Sequence, residues 1–228
     1  MKKKLSIQLG QCSQAGRKDV NQDFHGARIP DDYLLNDKGI AIAIADGISS
    51  SNVSQFASKT AVTGFLADYY CTPDAWSVKH SAQKVLQATN SWLFAQTKNS
   101  PHRFNFDKGY VCTFSSLIIK SNTFHIFHSG DSRIYRLSAN NLANASHNES
   151  SASQRSYLEQ LTQDHRRTVS EDTSYLTRAL GINAHLELDY LSQPVEANDI
   201  FILATDGIYE YIAANEILDH IKKNERDF

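Results

Sequence analysis

The sequence lacks any uninterrupted apolar run near the ~18 residues of a membrane-spanning helix, which excludes a helical integral membrane protein. It has only three cysteines, Cys12, Cys71 and Cys112, widely spaced and without a Cys-x-x-Cys pair. That excludes a disulfide framework and a structural zinc site, and predicts reduced thiols in a cytoplasmic protein. It has no surplus of charge: 23 Lys and Arg stand against 25 Asp and Glu, a formal net charge of −2. A nucleic-acid binder would show a basic face, so none is expected as a partner. Lys2, Lys3 and Lys4 precede a short apolar stretch that Ser6 and Gln8 interrupt, too short for a signal peptide. No internal repeat of solenoid period is present.

What is present fits one domain over residues 1–228, with 41% hydrophobic and 21% charged residues. Leu5, Ile7 and Leu9 alternate with polar residues, an edge-strand pattern. Gly39–Ala45 is wholly apolar and predicts a strand covered on both faces. From Ser51 onward, Val53, Phe56, Ala57, Thr60, Ala61, Gly64 and Phe65 predict one face of a helix capped by Ser or Asn. Trp76–Lys98 predicts a second helix with Ala82, Val85, Leu86, Thr89 and Leu93 inward. Strands follow at Val111–Lys120, Thr123–His128 and Arg133–Leu137, the last two read as a hairpin across Ser129-Gly130-Asp131-Ser132. The Ser/Asn/Ala-rich residues 138–156 predict a flexible surface insertion. Leu186–Leu191 and Asp199–Thr205 read as strands and Ala214–Lys223 as a helix. Helices in blocks between strand blocks give an α+β class with two sheets.

The chemistry sits in a repeated local pattern. Ile40–Ala45 runs into Asp46-Gly47, and Ile200–Thr205 runs into Asp206-Gly207. A carboxylate at a buried strand end is held rigidly at the rim of the core. Asn21-Gln22-Asp23 and Gly130-Asp131 add two more acids. Converging, they would repel one another unless divalent cations lay between them, and an all-oxygen set suits Mg²⁺ or Mn²⁺. Two such ions ~3.5–4 Å apart activate a water for in-line attack on a phosphoryl group. Each feature also has a plain reading: Asp-Gly as a turn, Gly130-Asp131 as a hairpin tip, Asn21 and Asp23 as loop braces, Arg17 and Lys18 as solvated charges. From these residues alone both readings stay open.

In order, the chain carries Gly16-Arg17-Lys18-Asp19-Val20-Asn21-Gln22-Asp23, Ala45-Asp46-Gly47, Ser129-Gly130-Asp131-Ser132-Arg133-Ile134-Tyr135, Leu161-Thr162-Gln163-Asp164-His165, Leu176-Thr177-Arg178-Ala179-Leu180-Gly181 and Ala204-Thr205-Asp206-Gly207-Ile208-Tyr209. From about Gly10 to the end this series resembles the metal-dependent protein phosphatase 2C family in its bacterial form, including members joined to a Ser/Thr kinase domain. The resemblance implies a four-layer α-β-β-α sandwich with two central, mainly antiparallel sheets. It implies phosphoserine and phosphothreonine hydrolysis on proteins by a hydroxide bridging two Mg²⁺ or Mn²⁺ ions, with a weaker third ion. Asp46 would bridge the two metals and Asp206 hold the first, making these the catalytic pair. The Gly47 carbonyl and Asp23 would complete the set, and Asp131 would serve the third ion. Arg17 or Lys18 would bind the phosphate, and Arg166–Tyr175 would be the flap. The implied partners are phosphoprotein substrates and a linked or cognate Ser/Thr kinase.

The departures carry expectations of their own. Ile48-Ser49-Ser50-Ser51 offers no His as a general acid, and Val111-Cys112-Thr113 replaces the family's usual Gly-Thr-Thr. No Asp-Asn pair follows Tyr209, so the chain is expected to be a shortened version without the final strand. These motivate an alternative, a catalytically weak phosphatase-like binding or regulatory module. A haloacid-dehalogenase-like phosphotransferase fits poorly, because no second Asp stands two residues after Asp46 or Asp206. His125 and His128 are expected to face opposite sides of a strand, and His165 to make a structural hydrogen bond.

Overall fold

Alternate residues of Ile40–Asp46 (β2) face two different cores, as a strand period of two requires. Ala41, Ala43 and Ala45 lie against helices Ser54–Asp68 (α2) and Val78–Lys98 (α3), together with Phe114, Ile118 and Phe127. Ile42 faces the other way, into a second core with Leu117, Ile126, Ile134, Phe201 and Leu203. The small alanines let α2 settle close to the sheet, where Ala57 and Ala61 are wholly buried.

The computed structural model describes residues 5–31, 33–139, 157–170 and 173–223. The other elements are β1 (Asp23–Arg28), α1 (Tyr33–Asp37), β3 (Phe114–Lys120), β4 (Thr123–Ser129), β5 (Arg133–Leu137), β6 (Glu159–Gln160), β7 (Arg166–Ser170), β8 (Thr173–Leu176), β9 (Asp189–Pro194), β10 (Ile200–Ala204), α4 (Asp206–Tyr209) and α5 (Ala214–Lys223). One sheet has the order β1-β2-β3-β4-β9 and a second β10-β5-β6, and β7-β8 form a separate hairpin. Every pairing is antiparallel. Helices α2 and α3 cover the five-stranded sheet, and the second core fills the space between the two sheets. This is the expected α+β sandwich. Among the described residues no helix is long and apolar enough to cross a membrane. The insertion expected at 138–156 lies, from residue 140 on, outside the described residues.

Four expectations change. Leu5–Leu9 forms no strand, although Leu5 and Ile7 still pack on the second core while Leu9 is exposed. Helix α2 is rotated from the expected face: Ser54, Ala57, Ser58, Ala61, Val62 and Phe65 are inward and Phe56 is outward. Two buried serines break the hydrophobic signal because they serve Gln22, whose Nε2 donates to Ser54 Oγ and whose carbonyl accepts from Ser58 Oγ. No side chain caps α2 at its N-cap Val53. Finally, Ser129–Ser132 is not a hairpin. Strand β4 is flanked by β3 and β9, so the chain leaves that sheet and β5 joins the other, between β10 and β6. By contrast, the inward stripe of α3 is as expected, with Ser77 accepting from His80 N at its start.

His128 is buried where β4 ends. Its Nε2 lies 3.0 Å from the Gln163 carbonyl, an acceptor only, so Nε2 carries the proton and Nδ1 accepts from Ser115 Oγ at 2.8 Å. Burial, then the neighbouring His165, lowers its pKa to about 4. Unfolded, the ring takes its proton near pH ~6.5, so the neutral ring's contribution is complete above that value and lost as pH falls through about 4. The expected loss is about 3 kcal/mol. Urea unfolding at several pH values checks this: wild type should lose stability across the window, and His128→Gln should lack that component.

Candidate active site

Three strand ends bring their acids together. The β1–β2 register sets Asp23 directly opposite Asp46. Thr205, just past β10, donates from Oγ1 to Asp23 Oδ2 at 2.8 Å, which ties the second sheet to the first and brings in Asp206 beside it. Asp46 is buried, and its side chain lies within hydrogen-bonding reach of both Asp23 and Asp206. Burial first, and then the charges of Asp23 and Asp206, push the Asp46 carboxyl up to about 10. A carboxyl so placed holds a proton at neutral pH unless a cation replaces it.

The backbone around Asp46 is fixed from several sides. Its N–H donates to Thr113 Oγ1 at 2.9 Å and its carbonyl accepts from Thr113 N at 2.8 Å. Thr113 Oγ1 in turn meets Ser132 Oγ at 2.7 Å, beside the Gly130-Asp131 turn. Gly47 N donates to the Gln22 carbonyl, and a Cβ on Gly47 would stand 2.7 Å from the Ser54 carbonyl, so only glycine fits there. Asn21 Oδ1 accepts from Asp23 N at 3.0 Å and orients the start of β1.

Asp131 forms the neighbouring edge. Burial raises its carboxyl to about 6, and the Arg166 guanidinium opposes that rise. Arg166 Nε lies 3.6 Å from Asp131 Oδ2, and its Nη1 lies 2.6 Å from Glu210 Oε1. The Tyr209 hydroxyl donates to the Asp131 carbonyl at 2.9 Å, while the Arg133 guanidinium lies 3.7 Å over the Tyr209 ring. Arg133 is itself forked onto Asp164, with Nη2 to Oδ2 at 2.7 Å. Beneath the turn, Gly130 N donates to His165 Nδ1, which leaves the proton on Nε2, 2.9 Å from Asp189 Oδ2. His165 therefore makes the structural hydrogen bond expected of it.

The structure thus groups Asp23, Asp46 and Asp206 and sets Asp131 next to Asp206. Among the described residues, no three His, Cys, Asp or Glu form a ready-made metal cage. The donor set nevertheless fits hard cations: it is all oxygen, buried and mutually repelling. Arg17 and Lys18 are exposed on the loop before β1, and among the described residues neither side chain bonds to these acids. Thr205, Tyr209, Glu210 and Arg166 were not singled out from sequence as supports of the site. Thr205, Tyr209 and Glu210 adjoin the Asp206-Gly207 motif, whereas nothing local marks Arg166 as a partner of Asp131.

The family model described as Protein phosphatase 2C matches residues 11–226. Among solved structures the chain is similar to the serine/threonine phosphatase Stp1 from Staphylococcus aureus, at 17% identity and TM-score 0.67, over 93% of this chain and 84% of that one. It is also similar to the Mycobacterium tuberculosis serine/threonine phosphatase PstP/Ppp, at 20% identity and TM-score 0.65, over 89% and 79%. A catalytic domain of PstP in complex with two manganese ions matches at 20% identity and TM-score 0.64, over 90% and 79%. At these identities the likeness establishes the fold. No curated protein matches the sequence.

Proposed function

The chain belongs to the protein phosphatase 2C family, and on that premise we propose that it is a metal-dependent protein serine/threonine phosphatase. Its substrates on this reading are proteins bearing phosphoserine or phosphothreonine. The observation that carries the proposal is the burial of Asp46 between Asp23 and Asp206, an arrangement that costs free energy unless protons or cations bridge the acids. Mg²⁺ or Mn²⁺ matches the donor chemistry; Asp46, Asp206, Asp23 and the Gly47 carbonyl are the residues that would hold such ions, with Asp131 as a further candidate. Bound there, such ions lower the pKa of water for attack on phosphorus and neutralise the phosphoryl oxygens.

The rest falls to the chain's own residues. Thr113 and Thr205 hold Asp46 and Asp23 at rigid strand ends, so the acids need little rearrangement when a cation replaces the shared proton. Exposed Arg17 and Lys18 supply positive charge at the mouth of the loop, suited to drawing in a phosphorylated segment. A second reading, the catalytically weak binding or regulatory module, draws on Ile48-Ser49-Ser50-Ser51. There Ser50 and Ser51 are spent on the carbonyls of Asp107, Lys108 and Gly109, and Ile48–Ser51 itself carries no His or carboxylate. Turnover of p-nitrophenyl phosphate separates the two. The phosphatase reading expects activity with Mn²⁺ and none with EDTA. Activity that survives EDTA overturns the metal-dependent mechanism, and none with Mn²⁺ favours the module.

A further inference from the structure

Arg166 opens the β7–β8 hairpin, and although its side chain is about one-third exposed, its guanidinium reaches the acidic edge. One arm, Nη1, sits 2.6 Å from Glu210 Oε1, and Nε sits 3.6 Å from Asp131 Oδ2. The fork is split between two acids from different segments instead of lying bidentate on one. Glu210 directly follows the α4 turn that begins with Asp206, so one guanidinium links the hairpin, the Asp131 turn and the Asp206 turn. Among the described residues, Arg166 is the one side-chain cation within ion-pair distance of Asp131.

We infer that Arg166 is the resident counter-cation of Asp131, standing where a third divalent ion would otherwise be held, so that this chain carries two such ions. The inference rests on the two-ion reading above and deepens it. A guanidinium stays charged at any working pH, so it cannot step aside by losing a proton. A divalent ion on Asp131 would lie within a few ångströms of that charge, and like charges so close, in a partly buried setting, repel strongly. Glu210 keeps Arg166 in place by a charge-assisted hydrogen bond.

The test uses Mn²⁺ alone as the probe, with ions per chain counted by equilibrium dialysis and metal analysis. Wild type is expected to bind two. Arg166→Gln is expected to gain a third ion, held about tenfold or more tighter than any third site of wild type, since hard-cation affinity follows the charge around the site. Adding Asp131→Asn to Arg166→Gln should remove that ion, and Arg166→Lys should keep the wild-type count. Circular dichroism checks that the variants fold, and Arg166→Met replaces Arg166→Gln if the latter does not. Identical titrations of variant and wild type overturn the inference, as does an extra ion indifferent to Asp131→Asn. The difference between variants judges Arg166, whereas a wild type that binds no Mn²⁺ sinks the phosphatase reading.

Discussion

Asp46→Asn is expected to reduce phosphatase activity by about a thousandfold or more while making the metal-free protein more stable than wild type. The two effects share one cause. Asp46 is crowded by burial and by Asp23 and Asp206, which is useful when cations occupy the gap and costly when they do not. In the metal-free folded protein Asp46 keeps its proton to about pH 10, whereas an unfolded Asp loses it near pH ~4. Across that window the unfolded state binds fewer protons, so metal-free wild type loses stability as pH rises. Asn carries no titrating group, and its advantage should grow with pH to about 4 kcal/mol at neutrality. Denaturant unfolding in EDTA at pH 5 and pH 8 reads this. An Asn variant that keeps full Mn²⁺-dependent activity, or shows the wild-type pH slope, contradicts it. Asp206→Asn should lose activity in the same way.

Gly130→Ala is expected to destabilise the protein by about 3 kcal/mol and to raise its Mn²⁺ requirement. Gly130 has φ +120, and a Cβ there would stand 2.5 Å from the Thr113 Cβ. Thr113 cannot retreat freely, because its Oγ1 is engaged by Asp46 N and Ser132 Oγ. The strain therefore passes both to Asp131 and to the backbone of Asp46. For a domain of this size the thermal midpoint should fall by roughly 10 °C. Gly64→Ala is the matched control: Gly64 lies within α2 with open space around it, and alanine there should stabilise by up to ~1 kcal/mol. Equal midpoints for Gly130→Ala and wild type would show that the turn does not support the site.

Much of this arrangement was legible in the linear chain, and what was not has identifiable causes. The strand β2 and the inward stripe of α3 follow from apolar runs and periodicity, signals carried by consecutive residues. The face of α2 was misread because Ser54 and Ser58 are buried for the sake of Gln22, a partner remote in sequence. The Ser129–Ser132 turn looks like a hairpin because turn chemistry is local, while the choice between sheets is made by β3 and β9, which already flank β4. The order and spacing of the motifs marked the acids as a set, and the structure groups three of them. The ion pairs of Arg166 were not legible, since no periodicity relates it to Asp131 or Glu210.

Acids distant along the chain meet at one edge of the two sheets, where on the reading proposed above they trade shared protons for divalent cations. The most direct measurement is anomalous diffraction from crystals grown in Mn²⁺. Two manganese peaks flanking Asp46 are expected, with Asp206 and Asp23 among their ligands. Peaks elsewhere only, with Asp46 still paired to its neighbouring carboxyls, would contradict that reading.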